Sequence, residues 1–180
     1  MFKILSEPLP SVYILSNPCF KDERGIFFKT FNQEQFSELE INFAPREQFS
    51  TISSKNVLRG MHFQTKEASH SKLVSCTCGS ILDVLVDIRI SSPNYNKPFS
   101  IQLSGTSNQM IFIGKGYAHG FLSLEDNTLV SYTTDKEYNP DLDAGVNWRS
   151  INFEWPVLNP LVSSRDQKHP GINEQQCEFF

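Results

Sequence analysis

A chain of 180 residues is long enough to bury one core without disulfide or metal staples, so one domain over 1–180 is the working organisation. It is 39% hydrophobic and 20% charged, with 15 Phe against 3 Met, which favours an all-β fold packed around aromatic rings. A net charge of -4 with scattered basic residues excludes the basic stripe of a nucleic-acid binder. No run is apolar enough to cross or bind a membrane, and no leader pattern follows Met1, so a cytoplasmic location is expected.

From the N-terminus, turn signals recur at short intervals: Ser16-Asn17-Pro18, Asp22-Glu23-Arg24-Gly25, Cys78-Gly79-Ser80, Ser91-Ser92-Pro93-Asn94, Ser104-Gly105 and Gly114-Lys115-Gly116. That rhythm predicts a sandwich or barrel of short strands. Only Asn32 to Leu39 reads as helix, with Asn32 placed to cap and Gln35 placed to return the cap. The run Asn56 to Gln64 reads as a buried strand that nonetheless carries Arg59, His62 and Gln64, and charge inside a barrel requires a reason. Strict alternation aims His62 and Gln64 to one face and Arg59 to the other. Gly60 is where a bulge can turn Arg59 toward the same cavity.

Further on, Ile81 to Arg89 alternates cleanly, with Leu82, Val84, Val86 and Ile88 on one face and Asp83, Leu85, Asp87 and Arg89 on the other. Ile111 to Phe121 reads as strand, glycine turn and a second strand carrying His119. Cys19, Cys76, Cys78 and Cys177 lack the spacing of a disulfide framework or zinc knuckle and are expected to be reduced. The tail from Asn159 to Phe180, with Pro160 and Pro170, reads as an irregular strap over the barrel.

Taken in order, Asp22-Glu23-Arg24-Gly25, Val57-Leu58-Arg59-Gly60-Met61-His62-Phe63-Gln64, Lys72-Leu73-Val74, Asp83 to Pro93, Tyr117-Ala118-His119-Gly120-Phe121, Tyr132-Thr133-Thr134 and Tyr138-Asn139-Pro140 closely resemble the dTDP-4-dehydrorhamnose 3,5-epimerase family. The resemblance implies a cupin jelly-roll barrel, a homodimer, and epimerisation of a nucleoside-diphosphate 4-keto-6-deoxy sugar at C3, C5 or both, with no metal and no organic cofactor. A ketone at C4 acidifies the hydrogens on C3 and C5, so such an enzyme needs a base, a stabiliser for the enolate oxygen and an acid on the opposite face.

The resemblance assigns those roles to His62 as base, Asp166 as the carboxylate orienting it, Lys72 as the cation at the C4 oxygen, and Tyr132 as acid. By the same resemblance Arg24, Arg59, Gln64, His119, Tyr138, Asp143 and Arg165 hold sugar and diphosphate. Glu47 and Lys29 depart from the family pattern at positions that contact the nucleotide, which implies altered hydrogen bonding to the base.

Two rival readings remain at this point. A metal-dependent cupin isomerase or oxygenase would use His62 and His119, although the usual His-x-His place holds His62-Phe63-Gln64 and His70 and His169 lie in polar, loop-like runs. A sugar-nucleotide-binding module that has lost catalysis is the other.

Overall fold

The computed structural model describes residues 1–174, so Cys177 lies outside the described residues. The chain forms β1 (Lys3–Leu9), β2 (Val12–Ser16), β3 (Cys19–Asp22), β4 (Gly25–Phe28), α1 (Gln33–Glu38), β5 (Glu47–Ser53), β6 (Val57–Gln64), β7 (Lys72–Cys78) and β8 (Ser80–Asp87). There follow β9 (Pro98–Ser104), β10 (Gln109–Ile113), β11 (Tyr117–Ser123), β12 (Thr128–Thr134), β13 (Asp143–Gly145) and β14 (Leu161–Val162). One sheet runs β1-β2-β10-β7-β12-β5 and the other β13-β6-β11-β8-β9, with β14 added in parallel to β6 and β3-β4 set apart as a hairpin. This is the expected jelly roll.

The period-two pattern explains the layers. Between the sheets pack Val12, Ile14, Val74, Ile81, Leu85, Ile111, Phe121, Val130 and Tyr132. Their strand neighbours point the other way. Leu73, Met110 and Phe112 face Phe36 of α1 and Phe43 beyond it, while Val84, Val86, Ala118, Leu122 and Phe63 face Trp148 and Trp155 and, from the C-terminal strap, Val162 and Ile172. The central strands of each sheet are thus buried on both faces, which is how many of the aromatic rings are absorbed.

The helix is shorter than its pattern, Gln33–Glu38, with the Asn32 side chain accepting from the Gln35 N–H at 3.0 Å. Gln35 does not return the cap. Its Oε1 accepts from the Phe2 N–H at 3.1 Å and ties down the N-terminus instead. β8 stops at Asp87, two residues early, because the Asp87 carboxylate folds the chain back by accepting from the N–H and guanidinium of Arg89 and from Ser92.

The bulge anticipated at Gly60 is present. His119 of β11 pairs with His62, and two residues later Phe121 pairs with Arg59, so β6 carries one extra residue. Gly60 has φ +136°, and a Cβ there would sit 2.5 Å from the Gly120 Cα. Only paired glycines let the strands meet at this depth.

Candidate active site

The alternation that builds the core also builds the site. Lys72 opens β7 on the same face as Val74 and Cys76, Tyr132 shares its face with Val130 and Thr134 on β12, and His62 shares its face with Gln64 on β6. All face the space between the sheets. At its open end lies a cavity of about 290 Å³ lined by residues that include Glu47, His62, Gln64, Lys72, Tyr138 and Arg165. A deeper chamber of about 200 Å³ shares His62, Lys72 and Phe49 with it and adds Arg59, His119 and Tyr132. His62 and Tyr132 therefore face a common hollow.

His62 is held from behind by the strap. Its Nε2–H donates to Asp166 Oδ1 at 2.8 Å, and Asp166 Oδ2 accepts from the Gly60 N–H at 3.0 Å. Burial alone would raise the Asp166 carboxyl, but the bonds from His62 and Gly60 outweigh it and bring the pKa down to about 2. Asp166 is thus an anion at neutral pH. Because Nε2 carries the proton, the lone pair of His62 sits on Nδ1.

Lys72 is only 9% exposed. Burial lowers its pKa to about 8, against the opposing pull of the Asp83 and Asp143 carboxylates. Tyr132, 8% exposed, is pushed well above the ordinary phenol range by burial and by Asp83, with Arg59 opposing. It is therefore a neutral phenol at neutral pH. Phe49 stacks on its ring at 4.8 Å and 13°. His119 is fixed by a 2.8 Å bond between its Nε2 and Asp83.

At the mouth, Arg165 pairs with Asp143, and the Tyr138 hydroxyl donates to the same carboxylate at 3.1 Å. Gln64 spends its amide on the backbone of Asn139, donating at 3.3 Å and accepting at 3.2 Å. The Glu47 carboxylate accepts from the Tyr138 N–H at 2.6 Å. Both residues line the cavity, yet their polar atoms hold the loop that carries Tyr138. Arg59 reaches the chamber and donates to Ser53 at 3.0 Å.

Arg24 and Lys29 are the exceptions among the expected substrate contacts. Arg24 is 85% exposed at the tip of the β3-β4 hairpin, paired with Asp22, and Lys29 is exposed just after β4. Neither lines the cavity of its own chain.

Two further residues at the site had no periodic signal. His70 lies on the cavity wall, its pKa pushed down to about 3 by burial and by the Lys72 cation, with Nδ1–H donating to the Ala68 carbonyl at 3.1 Å. His169, in a polar run of the strap, stands against the dyad: its Nε2 is 3.8 Å from Asp166 Oδ1 and its ring 5.8 Å from that of His62. Burial and then His62 lower its pKa.

A family model described as dTDP-4-dehydrorhamnose 3,5-epimerase matches residues 6–174. The chain is 39% identical over 168 residues to the dTDP-4-dehydrorhamnose 3,5-epimerase of Shigella flexneri, covering 91% of this chain and 92% of that one. Among solved structures it is similar to the Bacillus anthracis dTDP-4-dehydrorhamnose 3,5-epimerase bound to TDP and PPi, with 30% identity, TM-score 0.91, and 95% and 99% of the two chains covered. It is also similar to a Legionella pneumophila dTDP-6-deoxy-D-glucose-3,5-epimerase in complex with dTDP-4-keto-L-rhamnose, with 27% identity, TM-score 0.93, and 100% and 99% covered.

Proposed function

Because this chain belongs to the dTDP-4-dehydrorhamnose 3,5-epimerase family, and is an epimerase of nucleotide-linked 4-keto-6-deoxy sugars, we propose that it acts on a dTDP-linked substrate with His62, Lys72 and Tyr132 as its reacting groups. The observation that carries the assignment is the shared chamber. A carboxylate-backed imidazole, a buried ammonium and a protonated phenol line one hollow.

In this scheme Nδ1 of His62 removes the hydrogen from C3 or C5, and the imidazolium that forms is stabilised by the ionised Asp166. The electron pair moves onto the C4 oxygen, where the Lys72 ammonium balances the charge in a chamber largely screened from water. The Tyr132 phenol then protonates the same carbon from the opposite face, and the configuration at that carbon is inverted. Solvent restores both groups, so every turnover exchanges a carbon-bound hydrogen. Incubation of the enzyme with a dTDP-4-keto-6-deoxy sugar in D₂O should place deuterium at C3 and C5, read by mass spectrometry. Failure of either position to exchange would restrict the reaction to the other.

The Lys72 cation sets an alkaline limit. It is lost as pH rises through about 8, so kcat/KM, which reports the free enzyme, should fall above that pH. Stability moves the other way: between about 8 and the ordinary lysine value near 10.5 the unfolded chain binds the extra proton, so this residue makes the fold more stable as pH rises. Lys72→Arg keeps its charge to far higher pH and should shift the limb beyond about pH 10 at reduced turnover. A limb unmoved by that substitution would belong to another group.

We also propose a homodimer. The free edge strand β5 exposes Phe49 and Ile52, and the β3-β4 hairpin exposes Phe20, Ile26 and Phe27; apolar edges of this kind are covered in stable proteins. Pairing these faces is also the arrangement in which Arg24 and Lys29 can serve a substrate, by entering the partner's cavity. Sedimentation should give twice 20.6 kDa, and a monomer at micromolar concentration would rule the pairing out. No helix of the described residues is long and apolar enough to cross a membrane. The free thiols of Cys19, Cys76 and Cys78 suit the reducing cytoplasm.

A further inference from the structure

His169 has no part in the scheme above, yet its Nε2 is buried without a hydrogen-bond partner, its side chain is 12% exposed, and it is aimed at the Asp166 carboxylate. Space for the imidazole comes from Gly145 of β13, which pairs with His62; a Cβ at Gly145 would lie 2.5 Å from His169 Nε2. A buried nitrogen with no partner is costly. Here it is one of three ligand atoms, with those of His62 and Asp166, that all lie within 4.8 Å of one another.

We propose that His62, Asp166 and His169 form a binding site for a borderline divalent metal such as Zn²⁺, and that the ion, once bound, silences the base. Zinc bonds of about 2.0–2.2 Å to imidazole nitrogen and carboxylate oxygen place neighbouring ligand atoms about 3.4 Å apart in a tetrahedron. The separations of 2.8 Å between His62 and Asp166 and 3.8 Å between His169 and Asp166 bracket that value, and the third pair, His62 and His169, lies within 4.8 Å, so side-chain rotations must close the set by up to about 1.4 Å. Two imidazoles and one carboxylate with a fourth position open is a donor set that zinc accepts and that magnesium, which prefers an all-oxygen shell, does not.

The chemistry of silencing follows from which nitrogen is used. The ion takes the place of the proton between His62 Nε2 and Asp166 Oδ1. That proton leaves Nε2 and one is taken up at Nδ1, so the imidazole stays neutral and no net proton is released. The Nδ1 lone pair that would attack the substrate is gone. Inhibition thus rests on the assignment of His62 as base, whereas binding does not.

Binding and inhibition are measured separately. Chelator-treated enzyme should take up one equivalent of Zn²⁺ in equilibrium dialysis, and one equivalent of Co²⁺ should give the visible d–d absorption of a four-coordinate, nitrogen-ligated site. Zn²⁺ should inhibit epimerisation, and Mg²⁺ at the same concentration should not. His169→Phe keeps the packing over Gly145 and His169→Gln keeps polarity; both should fold and turn over as the parent does, while half-inhibition by Zn²⁺ moves up about 100-fold or more and the Co²⁺ band disappears. Equal Zn²⁺ response in the parent and both variants, or no stoichiometric uptake by the parent, would overturn the site. Uptake that needs His169 but leaves turnover untouched would keep the metal site and sink the base assignment instead.

Discussion

Replacing His62 with Ala should lower kcat by about 10² to 10⁴-fold and stop deuterium entering at both C3 and C5, because one imidazole serves both carbons. The fold should survive, since the ring is a third exposed and the core clusters do not depend on it. Asp166 would lose the bond that does most to lower its pKa, so its carboxyl should rise from about 2 and part of the acid stability it provides should go. The sign is set by the depression: with the folded pKa below the unfolded value near 3.8, the contribution is present above that pH and is lost as pH falls toward 2. Solvent exchange continuing at the parental rate would take His62 out of the reaction.

Tyr132→Phe should give a different failure. The ring and its stack on Phe49 are preserved and only the phenolic proton is removed, so formation of the inverted sugar should drop by about 10² or more. Abstraction by His62 is untouched, and the imidazolium can exchange with solvent through the open cavity. Deuterium should therefore still enter the sugar with retention of configuration, returned to the face it left. Recovered substrate carrying deuterium but no epimer is the expected signature. An inverted product formed at the parental rate would mean that another acid stands opposite His62.

These two experiments rest on residues that differ in how visible they are before folding. The strand pattern puts His62 and Gln64 on one face and Arg59 on the other, and marks Gly60 as the place where a bulge can turn Arg59 to the same cavity, because period two and a lone glycine are local facts. Lys72 and Tyr132 were harder. Each sits in a segment that reads as an ordinary strand, and their roles entered only through the family resemblance. Asp166, in an irregular strap, has no periodic signal at all; what gives it meaning is the 104-residue separation from His62 that the fold closes.

His169 marks the limit of the reading. In sequence it is one more polar loop residue, and only the seat over Gly145 reveals that its nitrogen meets the dyad. Gln64 and Glu47 illustrate the opposite case. Their positions at the cavity were foreseen, but the hydrogen bonds that tie them to Asn139 and Tyr138 depend on a loop whose path no local rule determines.

The parallel pairing of β14 with β6, which brings Asp166 behind His62, also orders events during synthesis. Every strand of both large sheets precedes Asp166 in the sequence, so the carboxylate is made after all of them. An intermediate in which it is not yet seated would own a barrel and a histidine but no anchored tautomer. Competence for turnover should therefore arrive late, with the seating of Asp166 behind His62, after the layer between the two sheets has closed.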